Sequence, residues 1–317
     1  SGIPSLLDSV IGGFHACSFA FGQTGAGKTY TCTGPTQGIK LNSEGDGVMG
    51  RSLQYLFDKL NSLGVGYKMK MACMEIYHEN VFDLSLPEQS KTPLVVREHP
   101  EKGFFAEGCK QVQVTSVDSA VSVLEHAIKL RHTGSHEMNA RSNRSHFMTE
   151  VFLELSGDSV DSAKQAKGAG ATGIFGDLKS KLEGDQDFDI LGKMTFIDLA
   201  GSERLKATKS SGQMVSDTGF INKSLYVLGK VIAGLVRGAG EGNIEVPFRE
   251  SKLTKLLINS LGGKCRTLLI SCVSEASGSI HETLRTLKFS MTAAKIKNRP
   301  VRFLDPQEKL ILDLRDE

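Results

Sequence analysis

The chain has 317 residues, 39% of them hydrophobic and 23% charged, with a formal net charge of +2. That balance suits a globular protein with a sizeable core and gives no global electrostatic case for nucleic acid binding or attachment to a membrane surface. No apolar run approaches the ~20 residues of a membrane-spanning helix, so no membrane insertion is expected. No secretory leader is visible, and the six cysteines contain no C-x-x-C pair, which reads as reduced core thiols in a cytosolic protein.

In chain order, Ser5–Ile11 has helical apolar spacing and stops at Gly12-Gly13. It looks like the middle of a helix, so the chain is expected to be a fragment that has lost its start. Cys17–Phe21 reads as a buried strand feeding a glycine-rich loop, with a helix beginning at Lys28-Thr29. Met49–Leu63 is an amphipathic helix and Tyr67–Tyr77 an alternating strand. Leu94–Glu98, Phe104–Glu107 and Val112–Val114 suggest short strands of a sub-sheet. Ser119–Arg131 reads as a helix, and His146–Leu155 and Lys193–Asp198 as strands. Residues 156–192 between them are rich in Ser, Gly, Ala, Lys and Asp, and are expected to be a disordered surface insertion. Lys223–Arg237, Ser251–Leu261 and Ser279–Lys297 read as helices, with a strand at Arg266–Val273. Alternating strands and helices without internal repeats predict an α/β protein with a mostly parallel or mixed central sheet.

Gly22-Gln23-Thr24-Gly25-Ala26-Gly27-Lys28-Thr29 fits G-x-x-x-x-G-K-[ST], between an apolar strand and a helix. Glycines let successive backbone N–H groups converge on phosphate oxygens. Lys28 is placed to reach the β- and γ-phosphates, and Thr29 to offer its hydroxyl to Mg²⁺. Farther on, Asp198 leaves an apolar strand, where its carboxylate can hold a magnesium-bound water. Gly201, in the D-x-x-G pattern, can bring its N–H close to a γ-phosphate. Asn139-Ala-Arg-Ser142-Asn143-Arg144-Ser145-His146 is dense in hydroxyls, amides and cations, as suits a loop that senses a terminal phosphate and its metal.

The phosphate loop, N-x-x-S-x-R-S-H and D-L-A-G-S-E, in that order, resemble the kinesin motor domain. The likeness continues in Glu75-Ile-Tyr-His-Glu79, Ile221-Asn-Lys223-Ser-Leu225, Val246-Pro-Phe-Arg249-Glu-Ser-Lys252-Leu-Thr254 and Lys295-Ile-Lys-Asn298. It implies a P-loop NTPase fold over residues 1–298, lacking the family's N-terminal strand and adenine-packing segment. Residues 299–317 would be a neck linker and the start of a neck helix. It further implies hydrolysis of Mg-ATP, with ATP and Mg²⁺ as cofactors and microtubules (tubulin) as partner. Ser142, Asn143 and Arg144 would form the first switch. Gly201 and Glu203 would belong to the second, with Arg144 and Glu203 pairing across the closed site to order the attacking water. Arg204, Lys206, Lys223, Arg249 and Lys252 would face tubulin, and a coiled coil beyond residue 317 would allow dimerisation.

The chain departs from the family at Asn143, where a serine hydroxyl usually contacts the magnesium shell, and at Ser290–Lys295, which lacks the usual arginine. An amide cannot relay a proton as a hydroxyl can, so a kinesin-like microtubule-binding module with impaired turnover is an alternative. A regulatory GTPase would need N-K-x-D, and Asn222-Lys-Ser-Leu225 lacks the aspartate. An AAA-type ATPase would follow Asp198 with glutamate, where this chain has Leu199.

Overall fold

The computed structural model describes residues 2–35, 39, 45–88, 92–100, 103–133, 143–156, 189–203, 213–238 and 245–303. Helix α1 (Ile3–Ile11) starts with proline in its first turn, where the missing N–H costs nothing, and buries Leu6, Leu7, Val10 and Ile11. Strand β1 (His15–Phe21) follows and leads through the glycine-rich loop into the short helix α2 (Lys28–Thr33). Helix α3 (Val48–Leu63) buries Leu53, Leu56, Phe57 and Leu60 on one stripe. It ends at Gly64, left-handed at φ 68°, whose N–H returns to the Leu60 carbonyl.

Strands β2 (Tyr67–Tyr77) and β3 (Asn80–Asp83) form a tight hairpin through His78 and Glu79. Then come β4 (Val96–His99), β5 (Gly103–Ala106), β6 (Val112–Val114), helix α4 (Val117–Thr133), β7 (His146–Ser156) and β8 (Asp189–Asp198). Helix α5 (Gln213–Gly238), α6 (Lys252–Leu256), β9 (Arg266–Ser271) and α7 (Ile280–Ala293) complete the order.

The main sheet runs β3-β2-β7-β8-β1-β9, with β6 also paired to β2. It is mixed: β8 and β9 flank β1 in parallel, whereas β7 runs antiparallel to both β8 and β2. Alternation along β1 divides the core between the two faces. Ala16 and Ala20 pack with α1, α3 and α4, while Cys17, Phe19 and Phe21 pack with α5 and α6. Full burial of one such large apolar side chain stabilises by roughly 1.5–3 kcal/mol, so both helical layers contribute to holding β1 at the centre. Among the described residues, no helix is long and apolar enough to cross a membrane.

Several elements differ from the sequence expectation. Strand β6 does not join a sub-sheet with β4 and β5, which pair only with each other; it pairs with β2, so that Val114 is buried opposite Met69. The helix expected over Ser251–Leu261 ends at Leu256. The chain then turns, held by Asn298, whose Nδ2 donates to the Ser260 and Cys265 carbonyls while Oδ1 accepts the Gly262 N–H. Strand β8 begins at Asp189 rather than Lys193, because Asp189–Gly192 continue the pairing with β7. Of the residues expected to be an insertion, 157–188 lie outside the described residues, as do those expected to begin the neck helix, 306–317.

Candidate functional site

The sheet registers bring the chemistry to one edge. Ala20 of β1 stands beside Asp198 of β8, and Asp198 stands opposite Phe147 of β7. The carboxyl ends of two parallel strands therefore open together beside the start of an antiparallel one. Ligands bind at such strand ends in open α/β sheets, because the connecting loops diverge there and leave a crevice.

The phosphate loop turns out of β1 into α2, with Gly27 at φ 91°, a left-handed conformation that favours glycine. Lys28 is buried, and its Nζ donates to the Gln23 carbonyl at 2.8 Å. Burial pulls the Lys28 pKa below the usual lysine value, opposed by the nearby Asp198 and Glu203 carboxylates. Thr29 Oγ1 donates to Asp198 Oδ2 at 2.7 Å.

Asp198 is fully buried. Oδ2 also accepts from Arg131 Nη1 at 2.8 Å, while Oδ1 has no hydrogen-bond partner. A buried carboxylate oxygen without a donor is costly unless a cation or its water answers it. Thr29 Oγ1, bonded to the other oxygen of the same carboxylate, adds a second hard oxygen of the kind that hydrated Mg²⁺ takes. These residues fit the metal that the sequence implied.

Arg131 was not among the residues expected at the site. It lies on the stripe Ala120, Leu124, Ala127, Arg131 of α4, otherwise apolar and buried. A charge on the buried face of an amphipathic helix was the available signal. Its guanidinium fork serves three acceptors: Asp198, the Ser145 hydroxyl and the Ser145 carbonyl. It thereby ties β8 to the segment that carries Asn143 and Arg144.

His146 makes a second tie. The Ala200 N–H donates to Nδ1 at 3.0 Å, so Nε2 carries the proton of the neutral ring and donates to Ser224 Oγ at 2.8 Å. Burial, then the Arg131 and Lys28 charges, hold its pKa down at about 3. The ring therefore joins β7, the Asp198–Glu203 segment and α5 without introducing a charge.

Of the residues expected in the switches, Asn143, Arg144, Gly201 and Glu203 come to this edge, and Ser142 lies outside the described residues. The Gly201 N–H donates to the Asn143 carbonyl at 3.0 Å, and the Ser202 N–H to the Gly22 carbonyl at 3.0 Å. Gly201 is packed so closely that a Cβ there would collide with Thr24 Oγ1 and the Glu203 carboxylate. The Glu203 carboxylate rests on the phosphate loop: Oε2 accepts the Thr24 N–H at 2.8 Å, and Oε1 accepts the Thr24 hydroxyl.

The cations expected to face tubulin fall on one helical layer. Lys223 is exposed near the middle of α5, while Arg249 and Lys252 flank the start of α6, which packs on α5. Arg249 donates to Glu98 at 2.6 Å and lies over the Phe104 ring. Lys230, absent from the sequence expectation, joins α5 to Glu250 at 2.7 Å. The Glu79 carboxylate accepts from Ser251 Oγ and the Lys252 N–H, both at 2.8 Å, so the β2–β3 turn pins the start of α6. Arg204 and Lys206 lie outside the described residues.

Fold and site define an α/β protein of the phosphate-loop nucleotide-binding class. The kinesin motor domain model matches residues 1–296, and the chain belongs to that family. It is 34% identical over 316 residues to human chromosome-associated kinesin KIF4A, covering 99% of this chain and 24% of that protein. Mouse kinesin-like protein KIF12 is 36% identical over 302 residues, covering 94% and 44%. The chain thus spans less than half the length of these relatives. A solved structure of a KIF14 dimer, in a two-heads-bound state with AMP-PNP on a microtubule, superposes with a TM-score of 0.79 at 34% identity, covering 98% of this chain and 79% of that one. A solved fast kinesin gives 0.77 at 32% identity, covering 95% and 76%.

Proposed function

We propose that the chain is the ATP-hydrolysing, microtubule-binding domain of a motor protein. The observation that carries this is the convergence of the phosphate loop, the Thr29–Asp198 pair and the Gly201–Glu203 segment on one sheet edge. Family membership, and a similar structure solved with AMP-PNP on a microtubule, support the same reading.

In it, the backbone of the loop and Lys28 hold the phosphates, and Thr29 with Asp198, through water, would hold Mg²⁺. The ion would supply charge neutralisation between the phosphate oxygens. Gly201, whose N–H here donates to the Asn143 carbonyl, would turn it to the terminal phosphate, and Arg144 and Glu203 would close over it and orient the attacking water. The protein contributes positioning and electrostatics rather than a covalent intermediate.

His146 and α5 connect this edge to Lys223, Arg249 and Lys252, which would meet an acidic polymer surface. Residues 299–303, the described part of the expected neck linker, run back along the fold. The Phe303 N–H donates to the Gly13 carbonyl, its carbonyl accepts from the Leu191 N–H, and its ring stacks on His15 at 3.6 Å. The linker thus bridges the starts of β1 and β8, whose far ends form the site.

The Asn143 carbonyl accepts the Gly201 N–H, a backbone contact that any residue at 143 could make, so the amide side chain is what distinguishes the two readings. The test is ATP turnover with and without microtubules. Strong stimulation by the polymer is expected; tight microtubule binding without stimulated turnover would favour the impaired module. Glu203→Ala should still bind nucleotide but stall hydrolysis, and unchanged turnover in that variant would remove Glu203 from the mechanism.

A further inference from the structure

Three residues of the phosphate loop have donors satisfied by the protein itself. Lys28 Nζ donates to the Gln23 carbonyl, Thr29 Oγ1 to Asp198, and the Thr24 N–H and hydroxyl both to Glu203. Only the last places an anion on a backbone N–H of the loop. A carboxylate oxygen there stands where the loop would otherwise offer that N–H to phosphate. Glu203 belongs to the same segment as Gly201, which packs against Thr24.

We propose that Glu203 seated on Thr24 is a latch that competes with the terminal phosphate of a nucleoside triphosphate, which makes Thr24 a specificity-determining residue. The proposal rests on nucleotide binding at this loop, as inferred above. One N–H cannot serve a carboxylate and a phosphate oxygen at full strength together, and the two anions repel at hydrogen-bonding distance. Gly201 is the residue expected to meet the γ-phosphate, so the latch sits at the γ end of the site. A diphosphate ends short of it. The latch therefore weakens apparent triphosphate affinity by the fraction of molecules in which it is closed, and leaves diphosphate affinity nearly untouched. In the mechanism proposed above the same carboxylate turns toward Arg144, so the latch also competes with that closure.

Thr24 separates these two roles of Glu203, because its hydroxyl donates to the latched carboxylate and is assigned no part in the pairing with Arg144. Equilibrium binding of ADP and of AMP-PNP, each with Mg²⁺, is measured by calorimetry on the wild-type chain, Thr24→Ala and Thr24→Ser. Losing one charge-assisted hydrogen bond in Thr24→Ala should tighten AMP-PNP binding about tenfold, with ADP changed less than about twofold. Thr24→Ser keeps the hydroxyl and should keep the wild-type ratio. If Thr24→Ala leaves AMP-PNP binding unchanged or weakens it while ADP binds normally, the hydroxyl serves the phosphate and the latch is wrong. If the wild-type chain binds neither nucleotide, the assignment of the loop fails, and the latch with it.

Discussion

At the residue scale, Asp198 and Arg131 form a fully buried ion pair. Such a pair does little net stabilising work, because desolvation offsets attraction, but removing one member leaves a buried charge without its partner. Arg131→Met should therefore lower unfolding free energy by about 3–5 kcal/mol in urea titrations without nucleotide. Arg131→Lys should recover only part, since an ammonium cannot reach Asp198 and both Ser145 acceptors in the geometry of a guanidinium fork. The two members of this ion pair differ in how legible they were. Asp198 announced itself, as an acid ending an apolar strand within a spaced motif. Arg131 lacked a motif, and its acceptors are set by helix packing, which no local pattern encodes. The resting place of Glu203 on Thr24 was also illegible, because it depends on how two loops far apart in the chain meet.

At the element scale, the β2–β3 turn places His78 and Glu79 at φ 50° and φ 60°, left-handed values uncommon for residues other than glycine. A two-residue hairpin turn of this kind demands them, because its twist matches that of the flanking strands. The turn also aims Glu79 at the first turn of α6. Glu79→Ala should cost about 1 kcal/mol, as lost helix caps do, and should weaken microtubule binding more than basal turnover; a co-sedimentation series against an ATPase assay separates the two. Long elements with a clear period, such as α3 and β2, were legible almost to their ends. The failures were short. Strand β6 chose its partner by burying Val114, and α6 stopped early because Asn298, far along the chain, captured the groups that follow it.

At the scale of the whole molecule, acid should act partly through His146. Its pKa of about 3 lies below the usual 6.5, so the unfolded chain takes up a proton over that window and the folded one does not. The stability this neutral ring contributes is fully present above pH 6.5 and is lost as pH falls toward 3. Between pH 7 and pH 5 the loss from this group is about 2 kcal/mol. Urea midpoints at the two pH values test it, and His146→Gln should flatten the dependence. The proposal that Lys223, Arg249 and Lys252 meet the microtubule predicts that attachment weakens as salt rises, because exposed charges are screened beyond roughly 10 Å at 0.1 M. The segment Arg299–Phe303 adds a mechanical consequence. Its N–H groups at 299, 301 and 303 bond to Gly263, Lys264 and Gly13, while Asn298 is fastened by its side chain at the root. A pull directed away from the surface at Phe303 would load these bonds one after another, like a peeled strip, and meet little resistance. A pull along the segment would load them together, and the root at Asn298 would bear what remained.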